Sequence, residues 1–252
     1  MDLNCDIGES YGAWKMGADA EVMPWITSAK IACGFHAGDF STMQQTVVLA
    51  LRHGVAIGAH VSLPDLQGFG RRELRVTPDE AYAMTLYQIG ALDAFARAAG
   101  TRVAHVKPHG ALYNMAAKDA LLSAAIARAV RAFDPRLILV GLAGSELPKA
   151  GAAAGLRIAH EAFADRRYET DGSLTPRREA DAVIHDVAAA VAQAVQIATK
   201  GNVQTRDGST LQIHADSICV HGDRADAAVV ARRLREGLAA AGARVGAIAE
   251  PA

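Results

Sequence analysis

The chain has 252 residues, 51% of them hydrophobic, and a formal net charge of −1. That length is typical of one α/β barrel, and the apolar content is enough to fill its core, so a second domain is not required. Balanced charge argues against nucleic acid or an anionic membrane as partner, because neither is bound without a positive excess on some face. Cys5, Cys33 and Cys219 are odd in number, share no C-x-x-C spacing and each lie in an apolar run, as expected of buried thiols in a reducing compartment. No basic segment leading into an apolar one opens the chain, and no apolar stretch approaches membrane-spanning length. The expected location is the cytoplasm.

In chain order, strands are predicted over residues 1–6, 28–33, 55–61, 103–106, 137–142, 156–159 and 217–220. Helical patterns fall between them. Residues 41–52 open with Ser/Thr capping chemistry and stop before Gly54. Thr77-Pro78-Asp79-Glu80 is a strong helix start, and that helix runs to Ala99, stopped by Gly100. Further helices are predicted over 117–133, 145–154, 177–199 and 224–241. Strands alternating with helices imply βαβ units and a mainly parallel sheet. The long connections 62–76 and 163–176 follow strand ends, where barrels keep their functional loops. Residues 201–214 read as a β-hairpin turning at Asp207-Gly208, placed away from the pocket. The whole of 1–252 is read as one barrel domain.

All of the apolar runs but the fifth end in polar or ionisable residues. These bursts are Asp2-Leu3-Asn4-Cys5-Asp6, Gly34-Phe35-His36-Ala37-Gly38-Asp39, His60-Val61-Ser62, Lys107-Pro108-His109-Gly110, His160-Glu161-Ala162-Phe163-Ala164-Asp165-Arg166 and His221-Gly222-Asp223. Ligands of parallel α/β folds sit outside the carboxyl ends of the strands, so these residues are expected to converge on one pocket. Alternation puts Asp2, Asn4 and Asp6 on one strand face and His105, Lys107 and His109 on another. Their opposite faces are apolar and suit helix packing, so the polar rows should point into the barrel. A buried polar row is costly unless paired, hydrated or bound to a ligand. For the deeper Asp2 and His105 a self-satisfied plug is the alternative.

There is no P-loop, no G-x-S-x-G elbow and no G-x-G-x-x-G after a strand. Gly68-Phe69-Gly70-Arg71-Arg72 could hold a carboxylate or phosphate, although a solvated loop reads the same way. His36, His60, His109 and His221 at separate strand ends suit either a His/carboxylate metal site with Asp6 or general acid–base work. His53 and His185, read as lying inside helices, and His214 beside the hairpin are assigned solvent-facing or structural roles.

The ordered motifs resemble the LamB/YcsF family, the A subunits of bacterial ATP-dependent 5-oxoprolinases. The segments that carry the likeness are 2–10, 32–39, 58–60, 68–72, 106–114, 161–166 and 218–223, and the resemblance runs to about residue 240. It departs at Lys30, where Asn is usual, at Phe40, where Pro follows Gly-Asp, and at Val61, where Pro follows Ala-His. These departures are expected to affect local loop shape and partner fit.

The resemblance implies a distorted seven-stranded (β/α) barrel of the glycoside hydrolase/deacetylase type. It also implies opening of 5-oxo-L-proline to L-glutamate with ATP, accompanied by Mg, jointly with separate B and C subunits; a homo-oligomer is compatible with it. A lactam is a stabilised amide, so phosphorylating its oxygen before water attacks makes the opening feasible. Such a site needs a cation for phosphate charge, a base for water and an anchor for the substrate carboxylate. The catalytic set is then Asp6, His36, His60, Lys107 and His109. The substrate- or phosphate-binding set is Asn4, Asp39, Arg71, Arg72, Glu161, Asp165, Arg166 and His221. Any metal would fall to Asp6, His36 and His60. The rival readings are a metal-dependent amidohydrolase or deacetylase without ATP, and a non-catalytic binding subunit. Lys107→Ala is expected to abolish turnover at a stability cost within about 1 kcal/mol, as for a lysine in a wet mouth.

Overall fold

The computed structural model describes residues 1–223 and 225–249. The strands predicted from apolar runs pair in parallel and close on themselves. β1 (Asp2–Ile7), β2 (Ser28–Ala32), β3 (Ala56–Val61), β4 (His105–Pro108), β5 (Ile138–Leu142) and β6 (Arg157–Phe163) follow in order around the barrel. An antiparallel hairpin of β7 (Asn202–Gln204) and β8 (Thr210–Gln212) intervenes before β9 (Ser217–Val220), which pairs with both β6 and β1 to complete the ring. The fold is a closed seven-stranded parallel (β/α) barrel, as expected.

Around it lie α1 (Asp19–Val22), α2 (Phe40–Arg52), α3 (Pro78–Ala98), α4 (Gly110–Ala116), α5 (Ala120–Phe133), α6 (Glu146–Ala153), α7 (Val187–Lys200) and α8 (Ala227–Ala240). The outward strand residues Leu3, Cys5, Ile31, Ala59, Val106, Leu139 and Ile218 are fully buried beneath these helices. The capping box read at Thr77 is complete: its side chain accepts from Glu80 N while Glu80 accepts from Thr77 N. Among the described residues no helix is long and apolar enough to cross a membrane. The three cysteines are free and buried.

Several boundaries differ from the expectation. β4 lies two residues beyond the predicted 103–106, because it continues into Lys107-Pro108, where Pro108 pairs with Val61. β6 runs on to Phe163, since inside a closed barrel a paired polar residue such as Glu161 continues a strand instead of ending it. The helix predicted over 117–133 starts only at Ala120, where the Asp119 carboxylate caps Leu121 N and Leu122 N, and the separate α4 before it was not predicted. The helix predicted over 177–199 starts only at Val187, capped by Asp186, so His185 sits in a loop. Residues 164–186 form an irregular excursion, pinned by bridges from Arg166 to Val183 and from Tyr168 to Leu174 and Thr205. The predicted start of the last helix, Arg224, is outside the described residues. α1 and the 3₁₀ turn Met23–Trp25 had no counterpart in the sequence reading.

The barrel interior is layered. At the bottom, Asp2 accepts hydrogen bonds from Thr27 Oγ1 at 2.6 Å and Ser28 Oγ at 2.7 Å, and also from Ser217. Asp2 is therefore a self-satisfied plug. Ile248 and Ala249 pack beside it on Ile138, Val140 and Ala159, the apolar inner face of β5 and its neighbour. One level up, Lys30 and His105 flank Gly58 in register. Lys30, within the strand predicted over 28–33, thus stands inside the barrel, and its Nζ has no hydrogen-bond partner among the described residues. Burial lowers its ammonium to about 8. Phe40, by contrast, is exposed at the start of α2, and Val61 is buried at the end of β3.

Gly58 exists to admit the His105 ring: a Cβ there would lie 2.0 Å from its Cδ2 and Nε2. Gly58→Ala is expected to cost about 3 kcal/mol or more by overpacking. Removing the ring as well, in Gly58→Ala/His105→Ala, should recover part of that loss. Urea denaturation checks it, and strictly additive losses would contradict the assignment.

Candidate active site

The centre of the barrel mouth is Lys107. Its ammonium lies 2.9 Å from Asp6 Oδ1 of β1 and 3.0 Å from Glu161 Oε1 of β6. Cys219 Sγ of β9 is 3.1 Å away, so four strands meet at one nitrogen. Burial would strip the lysine of its proton, but Asp6, Cys219 and Glu161 together outweigh it and hold the ammonium charged well above its ordinary range. Burial likewise opposes the Asp6 charge, and His60 with Lys107 outweighs it, keeping the carboxyl well below its usual value. Asn4 lies beneath, fully buried, donating to Glu161 Oε1 at 2.9 Å and Ser217 Oγ at 2.7 Å. It supports the clamp from below and does not line the cleft.

Three histidines crowd the side of the mouth formed by β2, β3 and β4. His109 Nδ1 is 2.9 Å from His60 Nε2, and the His36 ring stacks on His109 at 3.8 Å between centroids, 7° from parallel. His60 Nε2 is 3.3 Å from Asp6 Oδ2. Glu9, just beyond β1, places Oε1 3.4 Å from His36 Nε2 and 3.9 Å from His109 Nδ1. Burial and the neighbouring histidines hold His36 and His109 neutral, well below the ordinary imidazole value. Burial, with Asp6 next, pushes the Glu9 carboxyl well up.

The tautomers follow from the partners. His60 Nδ1 faces the Lys107 carbonyl at 3.1 Å, and His109 Nε2 faces the Phe69 carbonyl at 2.9 Å. Carbonyls only accept, so both of these nitrogens carry hydrogen, and unless a proton or an ion lies between them the two nitrogens that face each other are bare. The glycine-rich loop sets this up. Phe69 is held at φ 54, a left-handed conformation unfavourable for a non-glycine residue, with its carbonyl on His109. Ala111 N donates to Gly70 O at 2.8 Å, and a Cβ on Gly110 would meet that oxygen.

Across the mouth, His221 Nδ1 lies 2.9 Å from Asp165 Oδ1. Arg71 bonds Asp223 Oδ2 at 2.5 Å and stacks over the Phe69 ring. Arg166 lines the cleft, but it donates to Thr175 O at 2.6 Å and so also clasps the 164–186 excursion. Burial lowers its guanidinium to about 10. Two predicted ligands lie elsewhere. Arg72 points outward and pairs with buried Asp65, stapling its own loop. Asp39 is the N-cap of α2, accepting from Thr42 N at 2.8 Å and Gly12 N at 2.5 Å. His53 and His214 are exposed, as expected.

The cleft between Lys107, His109, His221, Arg71 and Arg166 encloses only about 40 Å³. A roomier hollow of about 550 Å³ lies beside it, lined by Leu142, Ser145, His160, Leu211 and His214. The smaller cleft is the candidate site, because the paired charges and bare imidazoles open onto it. Glu9 and Arg177 are site residues the sequence reading did not select. Glu9 lies two residues after the strand ends, outside the Asp2–Asp6 burst, and Arg177 was assigned to a helix that starts ten residues later.

A LamB/YcsF family profile matches residues 1–252. This chain belongs to the LamB/YcsF family. It is 59% identical over 248 residues to the 5-oxoprolinase A subunit of Methylococcus capsulatus, covering 98% of this chain and 95% of that protein. The crystal structure of the lactam utilization protein from Thermus thermophilus superposes with a TM-score of 0.93 at 47% identity, over 98% of this chain and 99% of that one. A peptidoglycan deacetylase of Bacillus subtilis shares the barrel alone, with a TM-score of 0.50 and 10% identity, over 98% and 86% of the two chains.

Asp39 provides a check on this division of labour in the LamB/YcsF chain. Asp39→Ala should cost about 1 kcal/mol as a lost helix cap and leave ligand binding intact. The Gly12 and Thr42 amides hold its carboxyl below the ordinary value. The contribution is therefore present above that value and lost as pH falls through the lowered one. Urea melts at neutral and acid pH test this. Unchanged stability with loss of ligand binding would return Asp39 to the site.

Proposed function

We propose that this chain is the A subunit of an ATP-dependent 5-oxoprolinase, cytoplasmic, and active with separate B and C subunits. What supports this most is near full-length likeness to a protein named for that role, joined to a buried cation at a cleft where ionisable groups from several strand ends converge. The lactam carbonyl points toward Lys107, whose ammonium meets the negative charge that develops on oxygen or on a transferred phosphoryl group. ATP, with Mg, phosphorylates the amide oxygen. One water then attacks the carbonyl carbon, the ring C–N bond breaks with the nitrogen taking a proton, and the acyl phosphate so formed is hydrolysed by a second water to L-glutamate and phosphate. The Asp6–His60–His109 cluster takes the proton from water.

The closed cleft has room for a few waters only. Substrate therefore enters by parting Arg71 from Asp223, and its carboxylate takes the place of Asp223 on the guanidinium. Arg166 and Arg177 lie beside that position. ATP sits in the mouth or partly on a partner subunit, consistent with a chain lacking a nucleotide loop.

Lys107 carries more structure than the sequence suggested. Its loss would leave Asp6 and Glu161 buried without their cation, a cost of about 3–5 kcal/mol and not the modest one expected from sequence. The test is glutamate and ADP formation by this chain alone and with B and C subunits, with wild type and Lys107→Met compared at a temperature where circular dichroism shows both folded. The chain alone should be silent, the complex active, and the variant complex slowed at least about a hundredfold. Lactam opening by the lone chain without ATP would favour the amidohydrolase reading. A folded variant turning over near the wild-type rate would reduce Lys107 to a structural partner.

A further inference from the structure

The bare nitrogens of His60 and His109 face each other at 2.9 Å, a contact that repels unless something positive lies between or beside them. A shared proton or a metal ion would supply it. Three observations favour the ion. First, each ring turns its other N–H onto a backbone carbonyl, Lys107 O and Phe69 O, the support that orients metal-bound imidazoles. For His109 that support is built at the expense of a left-handed φ of 54 at Phe69. Second, the two rings are 84° apart, so both in-plane lone pairs can meet at one point. Third, carboxylates approach from both sides, Glu9 Oε1 at 3.9 Å from His109 Nδ1 and Asp6 Oδ2 at 3.3 Å from His60 Nε2. A proton satisfies one N–H···N contact and leaves Glu9 Oε1 with only its 3.4 Å approach to His36 Nε2. Ligand atoms about 2.0–2.2 Å from a common ion stand about 3–3.5 Å apart in a tetrahedral site, close to these separations.

We propose that His60 Nε2, His109 Nδ1 and the Glu9 carboxylate hold a divalent metal ion of the zinc class, with its fourth position turned to Asp6 and the cleft. His36 is the remaining member of the cluster, in which one ligand atom from each of Glu9, His36, His60 and His109 falls within 4.8 Å of the rest. It is not a ligand, because a ring parallel to His109 cannot aim its in-plane lone pair at the same ion. His36 positions Glu9 instead. With the ion bound, a water in the open position becomes acidic enough to deprotonate near neutrality. Asp6 is the adjacent acceptor for that proton.

The metal site rests on ring geometry and stands apart from the lactam reading. It is tested by binding alone. The full chain, stripped with a chelator, is titrated with Zn²⁺ by calorimetry and with Co²⁺ by visible absorption, with melting followed in parallel. Saturation at one ion per chain, with a four-coordinate Co²⁺ spectrum and a raised melting temperature, is expected. Glu9→Gln, close in shape and safe for folding, and His109→Ala should each weaken binding at least about a hundredfold, beyond the usual loss for a supporting residue. His36→Gln should weaken it about tenfold, and His53→Ala, exposed at the end of α2, not at all. Absence of saturable uptake, or affinity unchanged in Glu9→Gln and His109→Ala, would overturn the proposal and leave a shared proton only.

Discussion

The buried ammonium of Lys107, clamped between Asp6 and Glu161, is the interaction on which the mouth of this barrel depends. An ion triad taken out of water gains little over an apolar core of the same shape, but it fails badly when one member is lost. Its members stand on β1, β4 and β6, with Cys219 of β9 against the same nitrogen. The clamp therefore ties opposite walls of the barrel, and any change in strand register would separate its charges. Its retention in place of a well-packed leucine layer points to use.

Below the clamp the interior grades from inert to chemically poised. Asp2 spends its acceptor capacity on Thr27, Ser28 and Ser217, and apolar Ile138 and Val140 meet the carboxyl-terminal residues. Above it, Lys30 and His105 occupy a layer spaced by Gly58. Only at the top do bare imidazoles, two carboxylates and three arginines face one cleft. Chemistry at the strand ends over a structural plug is what a parallel barrel provides, since its loops are free to vary while the bottom is filled.

Much of this was legible in the sequence because a strand's two-residue period is strict. Asp2, Asn4 and Asp6 could only share a face, and apolar Leu3, Cys5 and Ile7 showed which face met the helices. Caps were equally plain at Thr77. Illegible features were those in which a residue's partner is set by loop shape and not by a strand or helix period. Asp39 reads as a ligand until Gly12 and Thr42 are seen donating to it, and Arg72 until Asp65 is found beside it. The second half of the 164–186 excursion could not be told from the helix that follows, because Arg178 to Ala182 is polar and Ala-bearing, whereas 163–176 reads as a connection. Lys30 was placed at a motif's edge, and only the barrel's closure shows that it is enclosed.

The central claim is that the lactam is opened in the cleft above Lys107. The most direct measurement is a crystal structure of the complex with 5-oxoproline and a non-hydrolysable ATP analogue. The lactam oxygen is predicted about 3 Å from Lys107 Nζ, with the substrate carboxylate on Arg71 and Asp223 displaced. A lactam bound in the hollow lined by Leu142 and His160, or on a partner subunit out of reach of Lys107, would contradict the account.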